Sequence, residues 1–289
     1  MSGPLLVTDA PHLLYRAFYA LPDSITGPDG QPVNALLGSV NAVLQVIEEH
    51  GPRAVVHCFG AEAAAYRTEA YPAYHAHRPP MPEGLAVQWA QARGFYEAFG
   101  WTVLDHDGLE ADDLMHSLAR AEERRGGSAL IFTGDRDMFQ CVTDNVHVLM
   151  QQARKGFTEM GPQEVRERYG IDPELVPDFI ALRGDPSDGL PGAKGIGEKT
   201  AADLLRRKGD LEHAILGAIR EKPSIRRALI EQADELRSFK QIATLVEIEM
   251  DTVPDAATDF AGGAQAATAL GMRRLAERLS AAAGGEATG

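Results

Sequence analysis

The chain is poor in sulfur, in long apolar runs and in positive charge, and each shortage excludes something. Only two cysteines occur among 289 residues, Cys58 and Cys141, each inside an apolar segment, so neither a disulfide framework nor a cysteine-based zinc site is indicated. No apolar run reaches membrane-spanning length, and the start, Met1-Ser2-Gly3-Pro4-Leu5-Leu6-Val7, lacks the basic stretch and apolar core of a secretory signal. A cytoplasmic location without membrane contact is therefore expected. Lys and Arg number 28 against 42 Asp and Glu, a net charge of −14, which at first sight argues against a polyanionic partner. That balance is a poor guide if much of the acid sits in one cation-filled pocket, because the remaining basic groups can still form local stripes. At 44% hydrophobic and 24% charged residues, the chain is long enough for one large core or two unequal domains.

What is plentiful is carboxylate, and it is clustered. Glu110, Asp112 and Asp113 crowd three acids into four positions of Gly108-Leu109-Glu110-Ala111-Asp112-Asp113-Leu114-Met115, directly before an apolar helical pattern. Such neighbours repel, and a helix N-terminus offsets only about 0.3–1 kcal/mol per carboxylate. A divalent metal, which prefers hard oxygen ligands, would hold them together. The alternative is an N-capped helix with a solvated acidic first turn.

Taken in order, Pro4 to Thr8 is a short apolar run ending on Asp9, followed by a helical pattern over Leu13-Leu14-Tyr15-Arg16-Ala17-Phe18-Tyr19. In open α/β sheets ligands bind beyond the carboxyl ends of strands, where Asp9 would stand, although a helix cap is the simpler role. Asn34 can cap a helix whose apolar positions run to Gly51, and Arg53 to Phe59 follows as a buried strand, completing a βαβ unit. From Gly60 to Pro82 tyrosines 66, 71 and 74 alternate with Arg67, His75, His77 and Arg78, a mixture suited to stacking on bases and contacting phosphates, or to a surface segment whose tyrosines face the core. Leu85 to Phe99 predicts a helix, Trp101 to Leu104 a strand, and Ser128 to Phe132 another strand ending in a second acidic pair, Asp135 and Asp137. Val146 to Met150 is expected to be the last strand, and helical patterns dominate from Pro162.

A third acidic pair, Asp185 and Asp188, lies in the turn-rich loop Gly184 to Gly192. Gly192-Ala193-Lys194-Gly195-Ile196-Gly197 follows and opens an amphipathic helix, as in a helix-hairpin-helix whose backbone N–H groups approach a phosphate. No strand precedes these glycines, which disfavours a dinucleotide fingerprint. Ser224 to Leu245 continues the helices, one short helix is expected around Met272 to Leu279, and Gly284 to Gly289 reads as a disordered tail. Asp9 and three acidic clusters at element ends, beside a phosphate-binding hairpin, suit metal-assisted phosphodiester hydrolysis by two Mg²⁺ or Mn²⁺ ions.

From about Leu5 to Leu245 the sequence resembles the 5′ nuclease family of flap endonucleases and 5′-3′ exonucleases, which includes the N-terminal nuclease domain of bacterial DNA polymerase I. The motifs that carry the resemblance are 108–113, 133–137 and 184–201. It implies an α/β fold: a mostly parallel central sheet flanked by helices (a PIN-like core, 1–160, with a helical arch at 61–95), a helical DNA-binding subdomain with the helix-hairpin-helix (161–250), and a C-terminal extension (251–289). It implies Asp9, Glu110, Asp112, Asp113, Asp135, Asp137, Asp185 and Asp188 as direct or water-mediated metal ligands, with Arg67, His75 and Arg78 as the catalytic positions of the arch. Tyr15, Arg16, Gly192, Lys194, Gly195, Gly197, Lys199 and Thr200 are the implied DNA contacts, with K⁺ at the hairpin. The implied protein is a free-standing, monomeric bacterial enzyme of the nucleoid, removing nucleotides or flaps from DNA 5′ ends at nicks and gaps, beside a polymerase and a ligase. Two departures stand out. Gly60 occupies the place of a family Asp, for which Glu62 could substitute if the strand stays extended, although a solvated arch residue is the simpler reading of Glu62, and His75 occupies the place of a family Lys. A catalytically weakened structure-specific DNA-binding protein, or a related acidic-pocket ribonuclease, are the alternatives.

Overall fold

The computed structural model describes residues 3–152 and 156–286. Six strands, β1 (Leu5–Asp9), β2 (Ala54–Cys58), β3 (Thr102–Leu104), β4 (Ala129–Phe132), β5 (Val146–Gln152) and β6 (Gly156–Met160), form one sheet in the order β3-β2-β1-β4-β5-β6. All neighbours pair in parallel except β5 and β6. Val146–Met150 is thus not the last strand. The apolar residues of β6, Phe157 and Met160, are three apart and pack on opposite faces of the sheet, so the segment lacks the period-2 alternation that marks a half-buried strand.

Thirteen helices are described: α1 (Ala10–Ala20), α2 (Asn34–His50), α3 (Ala65–Ala70), α4 (Glu83–Glu97), α5 (Ala111–Arg124), α6 (Pro162–Tyr169), α7 (Val176–Arg183), α8 (Glu198–Lys208), α9 (Leu211–Leu216), α10 (Pro223–Glu231), α11 (Ala233–Ala243), α12 (Phe260–Ala269) and α13 (Arg273–Glu286). The strands are apolar on both sides because both sides are covered. Leu6, Val55, Leu130 and Leu149 face one layer with α1, α2, α4, α12 and α13, while Leu5, Val7, Val56, Ile131 and Val148 face the other with α5 and the helices from α6 to α11. Each large side chain so buried contributes about 1.5–3 kcal/mol.

Local signals explain several boundaries. Gly51, in the left-handed region at φ 54°, ends α2. Asn34, expected to cap its own helix, is instead the first residue of α2. Its Nδ2 donates to the carbonyls of Phe18 and Leu21 at 3.0 Å each, closing the end of α1. Gln88 of α4 takes over the capping of α2, its Oε1 accepting from the Ala35 amide at 2.7 Å.

The C-terminal end also differs from expectation. Two helices stand where one was expected, and α13 continues through Gly284 to Glu286, while residues 287–289 lie outside the described residues. Gly262 and Gly263 interrupt the otherwise Ala-rich α12, and Gly263 is placed by packing, since a Cβ there would lie 2.5 Å from the Phe99 ring. The extension returns to the sheet layer. Arg53 bonds Glu122, the Val253 carbonyl and Asp255, and Trp101 Nε1 donates to Thr258 Oγ1 at 2.9 Å.

Candidate active site

From β1 the chain proceeds through β2 to β3 at one edge, and from β4 through β5 to β6 at the other, so the order reverses between β1 and β4. A cavity of about 850 Å³ opens at the carboxyl ends of these two strands, where such a reversal leaves a crevice. Asp9 closes β1 and is buried. Its Oδ1 accepts from the His12 amide at 2.9 Å, capping α1, and its Oδ2 accepts from Thr133 Oγ1 at 2.8 Å. The same Thr133 hydroxyl accepts from the Asp135 amide at 3.1 Å, so one residue after β4 ties both acidic positions together. Gly134 between them has no room for a side chain, because a Cβ would lie 2.2 Å from the His12 ring.

The cavity is lined by Asp9, Glu110, Asp112, Asp135, Asp185 and Asp188, drawn from β1, the start of α5, the β4 end and the loop after α7, and also by Gly60 and the exposed Glu62 of the segment after β2. Glu110 precedes α5. Its Oε1 accepts from the Ala64 amide at 2.7 Å and its Oε2 from the Tyr74 hydroxyl at 2.9 Å. Asp185 accepts from Arg183 at 3.0 Å and from the Ser187 amide at 2.9 Å.

Two expected ligands do not line the cavity. Asp113 is fully buried behind it, accepting from Arg67 Nη2 at 2.8 Å, from the Tyr66 hydroxyl at 3.0 Å and from the Val246 amide at 3.0 Å. All its acceptor capacity is spent inside the protein, so its place is structural. Asp137 lies behind Asp135, whose Oδ1 accepts from the Asp137 amide at 2.9 Å.

Arg67, expected at the catalytic position, is 3% exposed. It pairs with Asp113 and with Glu110, donates to the Ile242 carbonyl at 3.0 Å, and does not line the cavity. The tyrosines of its segment are likewise committed inward: Tyr74 to Glu110, Tyr66 to Asp113, and Tyr71 packed edge-on against Phe239. Residues 61–82 therefore form a strap lying on the body, with α3 between the cavity and α11, before α4 begins. His75 and Arg78, by contrast, do line the cavity.

Of the expected nucleic-acid contacts, Tyr15 lines the cavity, whereas Arg16 turns away and donates to Gln151 at 2.9 Å. The hairpin forms as expected. Gly192 and Gly195 have φ of 67° and 78° and Gly197 caps α8; Lys194, Gly195, Gly197 and Lys199 are exposed and Thr200 is half-buried, whereas Gly192 is buried against Gly184. Sequence reasoning missed His12, Tyr19, Trp89, Arg136 and Arg183 on the cavity wall. For Tyr15 and Tyr19 the spacing i, i+4 was a usable signal, since it puts both on one helix face; Trp89 had none. The basic residues Arg237 and Lys240 are ion-paired with Glu212 and Asp178.

The carboxylates of the cavity crowd one another, and only part of their charge is met from within: Arg67 pairs with Glu110, Arg183 with Asp185, and His75 and Arg78 reach Asp188. Burial pushes Asp112 well above the usual carboxylate range, and Asp135, Asp9 and Glu110 push it further. Burial also raises Asp135 to about 6, with Asp188, Asp9 and Asp185 adding to the effect against the Asp137 amide, which opposes it. Asp137 is raised by burial, and by Asp135, Asp188 and Asp185. Among the described residues no three His, Cys, Asp or Glu side chains converge into a closed metal cage. The donor set fits an open site for hard cations that keep part of their water: carboxylate oxygens around a roomy cavity, with Asp112 and Asp135 held above their usual range by burial and by acidic neighbours.

Fold and site together define an α/β protein in which carboxylates at strand ends meet beside a glycine-rich hairpin that opens a helix. The chain belongs to the 5′-3′ exonuclease family: the N-terminal resolvase-like domain of that family matches residues 4–170, and its C-terminal SAM fold matches residues 171–259. It is 39% identical over 282 residues to the thermostable DNA polymerase I of Thermus thermophilus, covering 96% of this chain and 32% of that protein. It is 39% identical over 224 residues to DNA polymerase I of Mycobacterium tuberculosis, covering 75% of this chain and 25% of that protein. The chain thus spans about a third or less of the length of these relatives. In shape it is similar to the T5 D15 protein crystallised with metal ions, with a TM-score of 0.70 at 16% identity over 97% of this chain and 98% of that one. It is also similar to the catalytic core of Rad2 in complex with DNA substrate, with a TM-score of 0.64 at 14% identity over 96% and 93% of the two chains. At these identities the likeness is one of fold.

Proposed function

We propose that the protein hydrolyses DNA phosphodiesters at 5′ ends and flaps, using Mg²⁺ or Mn²⁺. The observation that carries this is the convergence of Asp9, Glu110, Asp112, Asp135, Asp185 and Asp188 on one cavity, with the hairpin Gly192–Gly197 continuing directly from the loop that bears the last two. These six carboxylates would hold the ions, which when bound supply activation of a water and charge stabilisation on the scissile phosphate. The chain's own residues do the rest. The exposed N-terminus of α8 and the glycine backbone of the hairpin grip a duplex phosphate. Tyr15, Tyr19 and Trp89 offer ring faces and edges to the bases of the end being cut; Tyr19 is 70% exposed, and Tyr15 meets Trp89 edge-on at 6.3 Å. Arg78 and Arg136 place cations on the cavity wall to draw in the phosphate against the acidic ring. Thr133 and the His12 amide fix both oxygens of Asp9, so that its orientation does not depend on substrate.

K⁺ at the hairpin, a monomeric state, work beside a polymerase and a ligase, and residence in the bacterial cytoplasm belong to the same proposal. Incubation with labelled 5′-flap DNA and either metal should release short 5′ products; no cleavage with either overturns it. Gly60 and His75 favour one second possibility, a structure-specific DNA binder of low turnover, for which tight flap binding without cleavage is the mark.

A further inference from the structure

His75 is the one described non-glycine residue with positive φ, at 55°. A side chain with a Cβ is strained there, so something must hold it. The surroundings supply three contacts. Nε2 meets Asp188 Oδ1 at 3.0 Å, Nδ1 meets the carbonyl oxygen of Glu62 at 2.8 Å, and the ring stacks on Tyr74 at 3.8 Å between centroids. Its amide also donates to the Asp188 carbonyl at 3.3 Å. Both ring nitrogens are thereby engaged and the side chain is 5% exposed, which leaves no polar atom to reach toward a substrate. Arg78, three residues on, is 42% exposed and only grazes Asp188 at 3.4 Å.

We propose that His75 is a positioning residue: it clasps the 61–82 strap to the 184–192 loop and aims Asp188 at the cavity, leaving Arg78 as the strap's cation toward substrate. The proposal rests on the metal-dependent function above. It makes the exchange of Lys for His at this position a change of role, with the strap's closure onto the helical subdomain and the setting of Asp188 joined in one side chain. Tyr74, whose ring stacks on His75, likewise holds Glu110, so two adjacent strap residues each hold a carboxylate of the cavity.

The test is calorimetric Mn²⁺ binding without DNA, on the full chain, for wild type, His75→Gly, His75→Gln and His75→Lys, with hydrogen exchange of residues 72–78 and kcat and KM on flap DNA. Glycine removes the ring without backbone strain, and glutamine keeps a donor for Asp188. His75→Gly should weaken Mn²⁺ binding about ten-fold, the scale for losing a partner that orients a metal ligand, and should speed exchange across 72–78. His75→Gln should restore most of the affinity, and His75→Lys should not raise kcat. Wild type binding Mn²⁺ while a folded His75→Gly binds it equally well would overturn the clasp alone, as would a kcat gain in His75→Lys at unchanged metal affinity. A wild type that binds no Mn²⁺ would overturn the metal-dependent function and the clasp with it.

Discussion

Two acidic regions lie back to back along the first turn of α5, and they resolve the same problem in opposite ways. Asp112 faces the cavity among Asp9, Asp135 and Glu110, and its carboxyl is pushed well above its usual range by burial and by those neighbours. Asp113, the next residue, is fully buried but sits against Arg67, Tyr66 and the Val246 amide. Burial alone does not distinguish a structural carboxylate from a functional one. The distinction is whether the chain supplies the counter-charge or leaves it to come from outside.

The largest effect should come from breaking the internally compensated side. Asp113→Ala leaves Arg67 buried without its main partner, a loss of about 3–5 kcal/mol for a broken buried pair. Urea unfolding should show the midpoint falling accordingly, and a change below about 1 kcal/mol would mean that Arg67 finds another anion. On the cavity side Asp112→Asn should behave in the reverse sense. Cleavage of flap DNA should fall at least about a hundred-fold, the upper end for losing even a partner that only orients a ligand, while metal-free stability stays level or rises because repulsion is relieved.

A smaller effect tests the gap in the ring. A Cβ on Gly60 would lie 2.5 Å from the Leu109 carbonyl oxygen and 2.6 Å from the Ala111 amide nitrogen, so the backbone before α5 fills the space a side chain would need. Gly60→Asp, although it restores the family's carboxylate, should therefore cost about 1–3 kcal/mol as overpacking does. An increase in both thermal stability and cleavage would show that the segment 109–111 shifts easily and that the missing acid matters more than the fit.

The parts of this comparison that sequence could show were those with local causes. Asp9 and Asp135 stand at strand ends, and the hairpin glycines precede a helix; each is set by neighbours a few positions away. The fates of Asp112 and Asp113 were not legible, because they depend on Arg67 and Tyr66, 46 and 47 residues from Asp113. The tyrosines of the strap, with their basic neighbours, suited nucleic-acid stacking until the fold turned Tyr66 and Tyr74 toward carboxylates. In the same way β6 lacked alternation and α12 carries two interior glycines, and both are covered by partners far along the chain.

The smallest expected effect follows from the sign of the cavity's titration. Asp135 is raised from 3.8 to about 6 in the fold. Well below pH 3.8 both folded and unfolded chains hold its proton, and the stability this carries is fully present. As pH climbs toward and past 6 the unfolded chain releases the proton first, so stability is lost through that interval. The buried His57, lowered to about 3 by burial, acts in the opposite direction, since its unfolded form still binds a proton that the folded form refuses. Total melting temperature is thus a poor readout. The difference between Asp135→Asn and wild type, measured without metal, isolates one carboxylate: the variant should gain on wild type from pH 4.5 to 7, because it lacks the group whose ionisation is resisted. Adding Mn²⁺ should shrink or reverse the difference, since the cation favours the ionised ring. A pH-independent difference would mean that Asp135 is compensated from within, as Asp113 is, and the division between the two regions would fail.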